Sequence, residues 1–136
     1  MSQNNKISVQ AKLSTLWIFV LLNYIYGDIM TLMNPHDLNN LIQGKAGPID
    51  ITEGFLLQGA IYMELSILMV LLSRLLPYKS NRLLNIIIAL ISGAGLIASF
   101  FVDKPAGFYI FLAVFELGGL IAIIWTAMVW KSEQTN

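Results

Sequence analysis

Among its 136 residues the chain has no cysteine and a single histidine, and only 12% of them are charged. Without a thiol there is no disulfide exchange, no thiolate metal site and no cysteine nucleophile. The formal net charge is zero, so no basic stripe is present for a nucleic-acid backbone, and nucleic acid is not an expected partner. A soluble domain carries roughly 25% charged residues. The low charge, together with 57% hydrophobic residues gathered in blocks instead of along faces, excludes an ordinary soluble fold.

What is there is four apolar runs, at about residues 13–33, 54–76, 83–102 and 108–130. A spanning helix needs roughly 20 apolar residues rising about 1.5 Å each, and every run is of that length. The expected fold is all-α: an integral membrane four-helix bundle over residues 13–130, between polar tails at 1–12 and 131–136. The first run exceeds the apolar centre of a signal peptide, about 7 to 15 residues, and ends in Met33-Asn34-Pro35, so it reads as an uncleaved span.

Between the first two spans, Asn34-Pro35 is a helix-start signal, and Leu38, Leu41 and Ile42 share one side of the segment up to Gln43. Gly44 stops it, which predicts a short interfacial helix. Asp50-Ile51-Thr52-Glu53 resembles a capping box with Asp50 as the cap. Pro77 to Asn81 reads as the connection between the second and third spans, and Asp103 to Gly107 as the turn before the fourth. Lys6, Lys12, Arg74, Lys79, Arg82 and Lys131 then fall on one side of the membrane, with Lys45 and Lys104 on the other. That asymmetry predicts cytoplasmic termini.

Three acids lie inside these runs: Asp28, Glu64 and Glu116. A carboxylate at the centre of a spanning helix costs on the order of 2.5 to 3.5 kcal/mol by insertion scales, so each needs a reason to be there. At about 100° per residue, Asn23, Tyr24, Gly27, Asp28 and Thr31 fall within an arc of roughly 140°, giving the first span one polar, small-residue face. On the second span Gln58, Tyr62, Ser66 and Ser73 form a stripe, and Glu64 projects roughly 120 to 160° away from Gln58 and Tyr62. Either the interior is wide enough for both sets, or one of them faces lipid or a second copy. The third span has Asn85, Ser92 and Ser99 at steps of seven, with small-residue pairs such as Gly95-x-x-x-Ser99 that favour close helix packing. Ala113 and Gly119 flank Glu116 three residues either side, which predicts room beside that acid. His36 and Asp37 precede no second ligand set, so no metal site is expected.

The segments LSTLWIFVLLNYIYGDIMTLMNP and ITEGFLLQGAIYMELSILMVLLSRLLPYKSNRLLNII resemble a bacterial family of small four-span membrane proteins of unknown function. Its architecture is broadly similar to the DoxX-like membrane proteins. The resemblance spans Lys12 to Trp130 and rests on Asn23-Tyr24-x-Tyr26-x-Asp28, Gly54-Phe55-Leu56-Leu57 and Met63-Glu64. It implies a four-helix membrane fold in a bacterial cytoplasmic (inner) membrane, and it carries no activity.

No Lys, Arg or His stands at the depth of Asp28, Glu64 and Glu116, so protonated acids, shared protons or a bound positive charge are the expected states. The leading expectation is a proton- or cation-binding site in a small transporter or channel subunit, formed by Asp28 and Glu116, with Glu64, Asn23 and Tyr24 as further members. An accessory subunit of a membrane redox or transport complex, its acids serving assembly, is the alternative from another class. An intramembrane enzyme on a quinone or isoprenoid-like substrate is the third; no nucleophile or cofactor motif supports it, and any cofactor is left open. The expected partners are the lipid bilayer and either further copies of the chain or another membrane subunit.

Overall fold

The computed structural model describes residues 7–131. The first helix, α1, runs Val9–Met33, opened by the Ser8 hydroxyl, which accepts from the Ala11 amide at 3.1 Å. Asn34 ends α1 and starts α2 (Pro35–Ile42): its backbone leaves the helical region, and its side-chain oxygen accepts from the His36 amide at 3.1 Å. Proline at the first helical position loses no hydrogen bond there. The short helix read from the sequence is therefore present between the first and second spans.

Past α2 the chain reverses through Gly44, at φ +74°, into a hairpin of two-residue strands, β1 (Lys45–Ala46) and β2 (Ile49–Asp50), with Lys45 opposite Asp50. Gly47 in its turn has φ +58°, and a Cβ there would sit 3.1 Å from Asp103. The hairpin thus rests on the turn that precedes the last span. The next helix, α3, spans Glu53–Leu75 and is capped by Thr52, whose hydroxyl accepts from the Phe55 amide at 3.1 Å. The expected capping box put Asp50 in that role; Asp50 is instead paired in β2, and the chain stays extended until Thr52.

Helix α4 covers Tyr78–Ser99 and begins straight after Pro77, five residues earlier than the third apolar run. The predicted connection over residues 77–81 is mostly the first turn of this helix. Asn81 explains why: fully buried, it donates from Nδ2 to the carbonyls of Ser73 at 2.7 Å and Leu76 at 3.2 Å, tying the end of α3 to the start of α4. The last helix, α5, spans Gly107–Val129.

The four long helices close a ring: α1 packs on α3 and α5, and α4 packs on the same two. Consecutive spans are neighbours, as short connections dictate. At Gly119 a Cβ would come within 2.7 Å of Val20, so this glycine is what lets α5 lie against α1. The core of Leu13, Trp17, Val20, Met69, Leu120 and Ile123 fills the half of the bundle nearer the termini.

Polarity runs opposite to that of a soluble bundle. Ser14, Ser66, Ser73, Asn85, Ser92 and Glu116 are buried inside, while Leu22, Ile25, Leu57, Ile61, Leu90 and Ile121 are exposed outside. An apolar exterior this extensive is stable against lipid and not against water. All four long helices have the length and hydropathy to cross a bilayer. The fold is an all-α four-helix membrane bundle.

Candidate functional site

The two ends of the bundle differ. At the end nearer the termini the interior is sealed by hydrogen bonds. Trp17 Nε1 donates to Asn85 Oδ1 at 2.7 Å, and the Ser73 hydroxyl donates to the same oxygen at 3.2 Å. Asn85 Nδ2 in turn donates to Asn81 Oδ1 at 2.7 Å and to the Asn81 carbonyl at 2.8 Å. Trp17, Ser73, Asn81 and Asn85 are all fully buried, and their side-chain donors and acceptors are satisfied within the group or by nearby carbonyls. Below them Arg82 donates to the Tyr78 hydroxyl at 3.3 Å and to the Met128 carbonyl at 3.1 Å, and Tyr78 donates to the Trp130 carbonyl at 2.8 Å. Arg74 Nε reaches the Ser14 hydroxyl at 3.2 Å, which itself donates to the Val70 carbonyl at 2.8 Å.

The other end is hollow. A chamber of about 170 Å³ lies between the helices, lined by Tyr24, Asp28, Tyr62, Ser99, Tyr109 and Glu116, with Gly27 and Gly95 also in its wall. Above it, beneath α2 and the hairpin, is a vestibule of about 780 Å³. Tyr62, Gly95, Ser99 and Tyr109 belong to both, so the two spaces adjoin across these four residues.

Each wall residue is placed by a local cause. A Cβ on Gly95 would lie 2.6 Å from the Tyr62 ring, so only glycine lets that ring lie against α4, where its hydroxyl donates to the Ser92 carbonyl at 2.6 Å. One turn further along α4, the Ser99 and Tyr109 hydroxyls are hydrogen-bonded at 2.8 Å. Ser66 and Ser92 form a further hydroxyl pair at 3.2 Å below the chamber.

Asp28 and Glu116 stand differently in the same space. Glu116 is 4% exposed, nine residues into α5, and has no hydrogen-bond or ion-pair partner among the described residues. Asp28 is exposed while still lining the chamber, and it too is unpaired among the described residues. The buried Tyr24 hydroxyl has no hydrogen-bond partner among the described residues, which is rare for a phenol inside a protein. Among the described residues no Lys, Arg or His lines the chamber.

Of the five site residues expected from the sequence, the structure brings together Asp28, Glu116 and Tyr24. Glu64 is exposed on α3 and lies outside the chamber. The Asn23 amide donates back to the Phe19 carbonyl at 2.9 Å, one turn earlier, and takes no part. The room expected beside Glu116 from Ala113 and Gly119 is filled, at Gly119, by Val20 and Phe19 of α1. Tyr62, Gly95, Ser99 and Tyr109 are the wall residues that sequence reasoning did not assign to a site. Gly95 and Ser99 stood in a small-residue pair read as packing, and Tyr109 lies seven residues before Glu116, a spacing of two helical turns that puts both on one face. Among the described residues no cluster of three His, Cys, Asp or Glu side chains has the arrangement to hold a metal ion.

These features define a multi-pass membrane protein built as a four-helix bundle around an acidic, tyrosine-walled chamber. The chain belongs to the family of unknown function DUF6326, whose model matches residues 4–136. No curated protein and no solved structure matches the chain.

Proposed function

We propose that this chamber is a proton- or cation-binding site and that the protein is a small transporter or channel subunit of the bacterial inner membrane. The observation that carries the reading is the meeting of Asp28, Glu116 and the Tyr24 hydroxyl, unpaired among the described residues, in one hollow with no basic side chain of those residues in its wall. An intramembrane acid without a basic partner is balanced by a proton or a cation. The bundle is open toward α2 and sealed by Trp17, Asn85, Asn81 and Ser73 at the other end, as a one-sided access state requires. Cytoplasmic termini belong to the same proposal, supported by Arg74, Lys79 and Arg82 at the sealed end against Lys45 and Lys104 at the open one. The resemblance to DoxX-like membrane proteins accords with it in span number and bears on location alone.

The test is flux. Wild-type protein reconstituted in liposomes should pass protons or a monovalent cation, and Asp28→Asn and Glu116→Gln should each abolish or strongly reduce that flux. Absence of flux in the parent, or equal flux in all three proteins, refutes the reading.

One observation favours a second role. Glu64 is exposed among Leu57, Ile61 and Leu68 on α3, with no ion-pair partner among the described residues. A carboxyl group facing lipid is costly, and a neighbouring membrane subunit would relieve it. Purification in mild detergent separates the roles: a stoichiometric foreign subunit supports an accessory function, and a lone chain or homo-oligomer argues against it.

A further inference from the structure

Chamber and vestibule differ in chemistry as well as size. The chamber offers two carboxyl groups and the Tyr24 hydroxyl, three polar groups without partners, in about 170 Å³. At about 30 Å³ per water molecule that is room for five or six waters, or for one small charged head group. The adjoining vestibule, about 780 Å³, presents a mostly apolar surface to which Leu41, Ile49, Phe55, Val102, Pro105 and Phe108 contribute, with Thr31, Asn40 and Gln58 among its polar wall residues. A bare ion makes no use of such a wall; pockets of roughly 300 to 1,000 Å³ lined by apolar and aromatic side chains suit an organic molecule. The charged vestibule residues Asp37, Asp103, Lys45 and Lys104 balance one another, so among the described residues the acid pair is the uncompensated charge of the combined space.

Resting on the cation-site reading above, we infer that the ligand is a primary amine with an apolar body, its ammonium group in the Asp28–Glu116 chamber and its body in the vestibule. An ammonium has three N–H donors and no acceptor. Those three donors meet the three acceptors left open, the carboxylates of Asp28 and Glu116 and the Tyr24 hydroxyl oxygen. Tyr62, Gly95, Ser99 and Tyr109 line both spaces, and the two parts of the molecule would join beside them. The same ammonium chemistry occurs in the ethanolamine head of a phospholipid. There the phosphate would follow the head group toward two acids, which favours a free amine.

The experiment is equilibrium dialysis of 2-phenylethylammonium against the purified full chain in non-ionic detergent. Saturable binding is expected, weakened about tenfold by Glu116→Gln, because the acceptor keeps its oxygen but loses the charge that strengthens its hydrogen bond to the ammonium. Methylammonium, the head alone, should bind about tenfold more weakly than the probe, as burial of a phenyl group is worth at least that factor. Phe108→Ala should narrow the gap between the two amines while leaving methylammonium unchanged. Phenyltrimethylammonium, which has the charge and no N–H, should compete poorly.

Equal binding of 2-phenylethanol and the amine, or of methylammonium and the amine, overturns the inference. So does displacement of the probe by phosphatidylethanolamine, which would assign the head group to lipid. If wild-type protein carries protons or sodium in liposomes and loses that flux in Glu116→Gln, yet binds no 2-phenylethylammonium, the amine inference fails and the cation site stands. If neither flux nor binding is found, both fall.

Discussion

Tyr24 and Asn85 are both polar side chains inside an apolar bundle, and they differ in one respect that decides what each is for. Asn85 Oδ1 accepts from Trp17 and Ser73 while its amide donates twice to Asn81. Replacing it with leucine strands the indole N–H, a hydroxyl and an amide oxygen at once. Each buried group left without a partner costs about 1 to 3 kcal/mol. Asn85→Leu should therefore lower the thermal midpoint of the detergent-solubilised protein by a margin well outside error. Tyr24 has nothing to lose in this way, since its hydroxyl is unpaired among the described residues. Tyr24→Phe is expected to leave the midpoint within the shift produced by about 0.5 kcal/mol and to weaken cation binding or flux. A large fall in stability with unchanged binding would mean that the hydroxyl serves the fold alone.

At the scale of the helices, two glycines set how closely neighbours approach. Gly119 admits Val20 and Phe19 of α1, and Gly95 admits the Tyr62 ring. Overpacking a fitted contact costs about 1 to 3 kcal/mol, so Gly119→Ala should destabilise the α1–α5 pair by that order in a denaturation series. Gly95→Ala should push Tyr62 off the wall, loosening its hydrogen bond to the Ser92 carbonyl and altering the chamber more than the core. Impaired flux beside a stability loss of the same order as that of Gly119→Ala is the expected signature, since the clash with Tyr62 is as close. The spans themselves were readable from the chain, because a run of about 20 apolar residues has few other solutions. The beginning of α4 was not, because Pro77-Tyr78-Lys79-Ser80-Asn81 has the composition of a turn and only burial of Asn81 between α3 and α4 makes it helical. The same limit applies to Glu64. Its angle from Gln58 and Tyr62 was visible along one helix, but which angle faces inward depends on where α1 and α4 stand around it.

For the whole molecule, the chain order of the spans is also their order around the ring, and the resulting interior is tight at one end and hollow at the other. The depth of Asp28 and Glu116 and the lack of any base near them were legible in the chain, and the structure places both in the wall of one chamber. The vestibule was not legible, since α2, the hairpin and the turn at Asp103 complete its wall over the ends of the spans, and no apolar periodicity connects those three segments. The absence of cysteine gives a clean probe of this asymmetry. Ser99→Cys and Tyr109→Cys should react with a membrane-impermeant thiol reagent applied from the α2 side. Ser73→Cys should stay protected from both sides. Uniform protection would mean that the hollow end is closed in the membrane, and labelling of Ser73→Cys would mean that the seal is leaky.

The hydrogen-bonded floor of Trp17, Asn85, Asn81 and Ser73 has a consequence for throughput. A vessel shut at its base is a cup and not a pipe. Whatever it holds leaves by the way it came until the floor gives, and helix rearrangements of that kind take microseconds to milliseconds or longer. On the transporter reading proposed above, cargo would then cross in single loads, one per rearrangement, and electrical recording from a planar bilayer should show no unitary current steps even where tracer uptake is plain; unitary steps would favour the channel reading.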